Sequence, residues 1–237
     1  MRRFKPGMEA SVIIPVRDEC GNVEPICDAF VRLLSEGSSV REVIFVDDHS
    51  RDFTLDKLKS CSAKFPFIRF LTENEHRGKG AAIRGGFQES RSEILVMMDG
   101  DQEYSPLDIP RLMEPIRLGD ADLVVGQGMN PQSSTVRWFF SKAFRTIFVR
   151  MFGIQVTNPN EGLKAILRQK FNELGVTSNG FDFDIELLVK AKKNRLRVVQ
   201  VQVGRHGRCT GKSKVPVLPT TARILSRMVK LWLSQER

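Results

Sequence analysis

Short apolar runs separated by amphipathic helical stretches fill the first half of the chain, and this alternation constrains the fold more than any other feature. Ser11-Val12-Ile13-Ile14-Pro15 reads as a buried strand. Val23, Ile26, Phe30, Val31 and Leu34 then recur at helical spacing until about Gly37. Val43 to Val46 reads as strand and Thr54 to Lys64 as helix, with Thr54 or Asp52 as its N-cap. Ile68 to Leu71 is strand, Gly80 to Ser90 helix, Ile94 to Met98 strand, Leu107 to Arg117 helix and Asp122 to Val125 strand. Runs that stay apolar without alternation are buried on both faces. The pattern therefore predicts an α/β fold with a mostly parallel central sheet flanked by helices. Such sheets bind ligands beyond the carboxyl ends of their strands.

The second half is less regular. A basic-aromatic helical stretch spans about Ser134 to Phe152, Asn158 to Gly162 reads as a loop, and Phe183 to Lys193 as a helix. Leu196 to Val203 is strand-like, Gly204 to Lys214 is polar and basic, and Leu218 to Leu233 is a final helix. There is no internal repeat and no low-complexity linker.

With 237 residues, the chain suits one large domain with a sizeable core. No stretch approaches the ~18 apolar residues of a membrane span. The N-terminal residues lack the apolar region of a signal peptide, so a cytoplasmic location is expected. The net charge of +9 and pI near 9.7 favour anionic partners. Cys20, Cys27, Cys61 and Cys209 lack metal-finger spacing and read as free thiols. The scattered His49, His76 and His206 argue against a histidine metal site.

Acidic residues follow three of the runs: Arg17-Asp18-Glu19, Asp47-Asp48-His49-Ser50 and Asp99-Gly100-Asp101. Carboxylates gathered on one sheet edge repel, so something must compensate. A hard divalent cation bridging to a diphosphate would do so, since Mg2+ or Mn2+ takes oxygen ligands and keeps positions open for phosphate. Asp99 and Asp101, two residues apart at a strand end, can turn toward one ion. His76 to Ala81 follows a strand and opens a helix, where amides can face an anion, but it lacks Walker A spacing. No Gly-x-Gly-x-x-Gly follows the first strand and no Gly-x-Ser-x-Gly elbow occurs. His49 reads as a loop histidine.

Residues 11–19 (Ser-Val-Ile-Ile-Pro-Val-Arg-Asp-Glu), 46–54 (Val-Asp-Asp-His-Ser-Arg-Asp-Phe-Thr), 77–82 (Arg-Gly-Lys-Gly-Ala-Ala) and 98–106 (Met-Asp-Gly-Asp-Gln-Glu-Tyr-Ser-Pro) together resemble the family 2 glycosyltransferases of GT-A fold. Within that family they are similar to the dolichyl-phosphate mannose and glucose synthases. The resemblance runs from about residue 10 to 215. It implies a catalytic domain over 1–215, followed by an amphipathic helix over 216–237. It implies that Pro15, Arg17, Glu19, Asp47, Asp48, Lys79 and Asp99 hold the nucleotide-sugar donor, with Ser50, Asp52 and Thr54 stabilising the loop. Asp99, Asp101 and Glu103 would bind Mg2+ or Mn2+. Arg137, Ser141, Ser213 and Lys214 would meet the acceptor phosphate, in part through a mobile Arg208-x-x-Gly211-x-Ser213-Lys214 loop. Asp99, Asp101, Arg137 and Arg208 are the implied catalytic residues.

The implied reaction moves mannose or glucose from GDP-mannose or UDP-glucose to a polyprenyl phosphate on the cytoplasmic face of a membrane, with no nucleic-acid partner. A soluble sugar or protein acceptor, or a non-catalytic nucleic-acid-binding or regulatory role on this fold, are the alternatives. Two departures stand out. Relatives usually carry Asp-x-x-Ser-Gly-Phe where this chain reads Asn158 to Leu163, so Glu161 substitutes for that carboxylate or the acceptor geometry differs. They also often carry Gly-Ser-Arg at Gly126-Gln127-Gly128. For the membrane surface, a helical wheel gathers Leu218, Leu225, Val229 and Trp232 on one face, with Arg223, Arg227 and Lys230 largely off it. The stretch holding Arg137, Trp138, Phe139, Phe140, Lys142, Phe144, Arg145, Phe148 and Arg150 is a second candidate.

Overall fold

The computed structural model describes residues 7–129, 135–207 and 217–234. In chain order the elements are β1 (Ala10–Val16), α1 (Cys20–Ser35), β2 (Val40–Asp47), α2 (Thr54–Lys64), β3 (Ile68–Thr72), α3 (Lys79–Glu89), β4 (Ile94–Met98), α4 (Ile109–Arg117), β5 (Leu123–Met129), α5 (Thr135–Phe152), β6 (Leu163–Leu167), α6 (Arg168–Leu174), α7 (Phe183–Lys193), β7 (Val198–Gly204) and α8 (Val217–Leu233). The strands form one sheet in the order β3-β2-β1-β4-β6-β5-β7. All pairings are parallel except those of β6, which runs antiparallel to both β4 and β5.

Both faces of the sheet are covered, which explains the unalternating apolar runs. Val12, Ile14, Val43 and Phe45 point into one layer with α1, α2 and α4. Their neighbours Ile13, Ile44 and Val46 point into the other layer with α3 and α5 to α8. The expected strands and helices appear within a few residues of their predicted bounds. At the start of α2, the Asp52 carboxylate accepts the Thr54 amide at 2.9 Å. Cys20, Cys27 and Cys61 are free thiols; Cys209 lies outside the described residues.

Two elements were not expected, β6 and α6. A strand read as Leu-Lys-Ala-Ile-Leu carries a lysine beside its entry loop and shows neither clean alternation nor a clean apolar run. Its antiparallel insertion between two strands of common direction leaves no periodic signature.

The last helix has three faces. Ile224, Met228 and Leu231 are buried in the core. Leu225, Val229, Trp232 and Leu233 are exposed together. Arg223, Ser226, Arg227 and Lys230 form the third face, beside a pocket. On α5, Lys142, Arg145, Ile147 and Arg150 are exposed. Phe148, expected above among the ring contacts to a membrane, is instead fully buried and packs against Phe152 at 5.2 Å. The side chains of Arg137, Trp138, Phe139, Phe140, Ser141 and Leu218 lie outside the described residues. Among the described residues, no helix is long and apolar enough to cross a membrane.

Arg227 ties α8 to Glu186 of α7 at 2.9 Å. Burial alone would raise the Glu186 carboxyl, but hydrogen bonds from Lys190, Ser178 and Arg227 hold it at about 2, below the usual 4.5. Because the folded value lies below the unfolded one, this stabilisation is complete above about pH 4.5 and is lost as pH falls toward about 2. Acid titration followed by tryptophan fluorescence, with Trp232 as the reporter on α8, should show a transition in that window. Glu186→Gln should flatten it.

Candidate active site

The chain builds β1, β2 and β3 outward in one direction, then returns to place β4 on the opposite side of β1. This reversal opens a crevice at the carboxyl ends of β1 and β4, where ligands bind in sheets of this kind. The segments Pro15–Glu19, Asp47–Ser50 and Asp99–Asp101 therefore converge. Close approach of the two strand tips requires glycine at position 100. A Cβ there would stand 2.7 Å from Val16 Cγ1 and 3.2 Å from the Pro15 carbonyl oxygen.

Side chains after β2 fix the loop after β1. The amide of Asp18, a residue in the left-handed region at φ 53°, donates to Ser50 Oγ at 2.8 Å. The Ser50 hydroxyl donates in turn to Asp47. The Glu19 amide donates to Thr54 Oγ1 at 2.8 Å, and the Arg51 amide to Asp18 Oδ1 at 2.6 Å. Ser50, Asp52 and Thr54 thus lock two strand tips together. Asp48 is buried and acts as a hub. It accepts the Arg77 amide at 2.7 Å and the Gly78 amide at 3.0 Å, and it meets His76 Nδ1 at 2.7 Å. The segment read as an anion-facing turn is thereby held by a protein carboxylate.

Two charge networks flank the crevice. In the first, Lys79 Nζ lies 2.7 Å from Asp99 Oδ1 and 3.3 Å from Asp184 Oδ2, and Lys164 Nζ lies 2.7 Å from Asp184 Oδ1. Lys164 and Asp184 are fully enclosed. Burial opposes the charge on Lys79, yet Asp184 and Asp99 hold its ammonium above the ordinary lysine value. Burial likewise opposes ionisation of Asp184, and Lys164 and Lys79 overcome it. In the second network, Arg205 grips Glu103, with Nε at 2.9 Å from Oε2. Tyr104 donates its hydroxyl to Glu161, which also accepts Asn158 Nδ2 at 2.8 Å. Burial, then the Glu161 charge, push the Tyr104 hydroxyl well above the usual tyrosine value.

This geometry revises the reading of the acidic tips. Part of the repulsion inferred from sequence is met by the protein's own cations: Lys79 for Asp99 and Arg205 for Glu103. Glu161 is 2% exposed and holds Tyr104 and Asn158, so it is a structural anchor of the loop. The departure at Gly128 has the same origin. A Cβ there would stand 2.7 Å from Glu161 Oε1 and 2.8 Å from Arg205 Cδ. Sequence reasoning missed Lys164 and Asp184. The available signal was charge inside apolar company, in Leu163-Lys164-Ala165 and Phe183-Asp184-Ile185.

Among the described residues, no group of three or more His, Cys, Asp and Glu side chains gathers around one point. Magnesium sites in phosphate chemistry often use only one or two carboxylates and fill the rest with substrate phosphates and water. The hard-oxygen donors of Asp99 and Asp101, at the end of β4, fit that pattern. Asp101 is buried and its Oδ1 accepts the Glu103 amide at 3.1 Å. Arg208, Gly211, Ser213 and Lys214 lie outside the described residues.

A family model described as glycosyl transferase family 2 matches residues 11–181. The dolichol-phosphate mannosyltransferase of Pyrococcus furiosus is 26% identical over 230 residues, covering 94% of this chain and 64% of the relative. The undecaprenyl-phosphate mannosyltransferase of Micrococcus luteus is 29% identical over 185 residues, covering 73% of this chain and 75% of the relative. Among solved structures, mannosyl-3-phosphoglycerate synthase from Rubrobacter xylanophilus superposes with a TM-score of 0.75 at 20% identity, covering 97% of this chain and 75% of that one. Glucosyl-3-phosphoglycerate synthase from Mycobacterium tuberculosis, solved with Mn2+, UDP and glucosyl-3-phosphoglycerate, gives 0.72 at 22% identity, covering 96% and 80%.

Proposed function

The chain belongs to glycosyl transferase family 2 and has the GT-A fold, and we propose that it transfers mannose or glucose from a nucleotide diphosphate sugar to a polyprenyl phosphate. The observation that carries this reading is the convergence of the β1, β2 and β4 tips on one crevice. The names of the relatives in Pyrococcus and Micrococcus supply the acceptor class.

In this reading Pro15, Arg17, Glu19 and Asp47 line the donor site, and GDP-mannose and UDP-glucose are the candidate donors. Asp48 serves it by holding the 76–78 turn, and Lys79 by holding Asp99. Asp99 and Asp101 would hold Mg2+ or Mn2+, which when bound neutralises charge on the departing diphosphate. Glu103, with Arg205 on its carboxylate, braces the loop after β4. Arg137 and Ser141, with Arg208, Ser213 and Lys214, would grip the acceptor phosphate; arginine suits that task through its planar fork. The acceptor oxygen forms its bond to the anomeric carbon as the bond to the diphosphate breaks, with inversion. A phosphate acceptor is already anionic near neutral pH, so no strong base is required. That agrees with the enclosure of Glu161.

The acceptor lies in a bilayer, and we place the enzyme on its cytoplasmic face. The exposed Leu225, Val229, Trp232 and Leu233 stripe of α8 supports contact with the membrane surface. The test crosses labelled UDP-glucose, GDP-mannose and UDP-GlcNAc with a polyprenyl phosphate. Label should enter the organic phase for one hexose donor. Label found only in water-soluble sugar or in protein would favour a different acceptor.

A further inference from the structure

A pocket of about 390 Å³ lies beside α8, within the size range of small-ligand sites. None of the strand-tip acids lines it. Its wall carries Arg77, Arg223, Arg227 and Lys230, with Ser226 between them and Asp182 as its one acid. Like charges gathered around a concavity repel, and an anion at its centre relieves them. Part of the cationic charge is already committed: Arg227 to Glu186 at 2.9 Å and Arg77 to Glu73 at 3.3 Å. Arg223 and Lys230 form no ion pair among the described residues, and both are exposed. They supply an arginine fork and an ammonium, two groups that suit phosphate oxygens.

The surroundings of the pocket narrow the ligand. On α8 the pocket-lining face, Arg223, Ser226, Arg227 and Lys230, adjoins the exposed apolar stripe of Leu225, Val229, Trp232 and Leu233. A free phosphate would use the first and have no contact with the second. A phospholipid would use both, its headgroup phosphate among the cations and its chains along the stripe. Cations next to exposed rings and aliphatic groups match the boundary between headgroups and acyl chains. We propose that this pocket binds the headgroup phosphate of an anionic lipid, through residues other than those given above to the acceptor phosphate. The inference rests on the peripheral membrane reading above.

The test is flotation at low salt on vesicles of phosphatidylcholine alone or with phosphatidylglycerol. Wild type should prefer the anionic vesicles. Arg223→Gln with Lys230→Gln should weaken that binding roughly 30-fold, at about fivefold for each cation removed near an anionic surface. Ser226→Trp fills the pocket without changing charge and should weaken binding in the same direction. Lys59→Gln with Lys64→Gln removes the same charge from exposed positions on α2 and should change it less than about twofold. All three variants sit at surface positions, and their melting curves should match wild type. Equal flotation on both vesicle types overturns this inference alone. So does an equal loss in the α2 variant, or normal anionic binding by Ser226→Trp. Flotation on neither overturns the membrane reading as well. Inorganic phosphate titrated into wild type and the pocket variant separates the sources: saturable binding that requires Arg223 and Lys230, with no flotation, would assign the pocket to a free anion and overturn the lipid.

Discussion

Asp101→Asn should fold as the wild type does and lose sugar transfer by about a thousandfold, on the scale of removing one preorganised charge-stabilising group from an active site. The asparagine keeps a carbonyl oxygen that can accept the Glu103 amide, the contact Asp101 makes at 3.1 Å. Its melting temperature should therefore stay within about 2–4 °C of wild type, the shift expected for no more than ~1 kcal/mol in a domain of this size. The substitution removes the formal charge that Asp101 carries after β4. Asp99 cannot replace it fully, because Lys79 lies 2.7 Å from its Oδ1 and neutralises much of its charge. Steady-state transfer across a range of Mg2+ or Mn2+ concentrations is the measurement. Turnover at the wild-type rate with metal present would remove Asp101 from the metal assignment.

Asp184→Ala should act mainly on stability. Its carboxylate is the partner of the fully buried Lys164 ammonium at 2.7 Å and one of two partners of Lys79. Removing one member of a buried ion pair leaves an uncompensated charge, at a cost of about 3–5 kcal/mol. For a chain of this length that corresponds to a melting temperature lower by roughly 10 °C or more. Lys164→Met combined with Asp184→Leu should recover much of the loss, since no lone charge then remains on the strand. Lys79 keeps Asp99 as its partner. Denaturant melts of Lys164→Met, Asp184→Leu and the double variant give the coupling directly. Additive losses would mean that Lys164 and Asp184 do not act as a pair.

The architecture was legible because burial on two faces leaves a strong mark. Val12, Ile13 and Ile14 are all apolar because neighbours on the strand point into different layers, each covered by helices. The crevice was legible for a related reason: acids placed directly after apolar runs lie at strand ends. The protein partners of those acids were not legible. Asp48 looks like a ligand group in the sequence, and in the fold it holds the amides of Arg77 and Gly78. Glu103 looks like a metal ligand, and it meets Arg205 just after β7, a partner more than a hundred residues away. Partners this distant follow from the crossing of strands, which local periodicity does not encode. The same holds for Lys164, whose place in the core depends on an antiparallel strand entering between two parallel ones. The departures at Gly128 and Glu161 make sense only together, because Glu161 and Arg205 occupy the space a side chain at position 128 would need.

A single-turnover reaction with enzyme in excess over labelled donor, run with a polyprenyl phosphate and divalent metal and followed by mass spectrometry, tests whether the hexose passes to the lipid phosphate. We predict one hexosyl addition to the lipid phosphate for each nucleoside diphosphate released, with the anomeric configuration inverted. Release of nucleoside diphosphate with only free hexose, or transfer to an acceptor other than the lipid, would contradict the account.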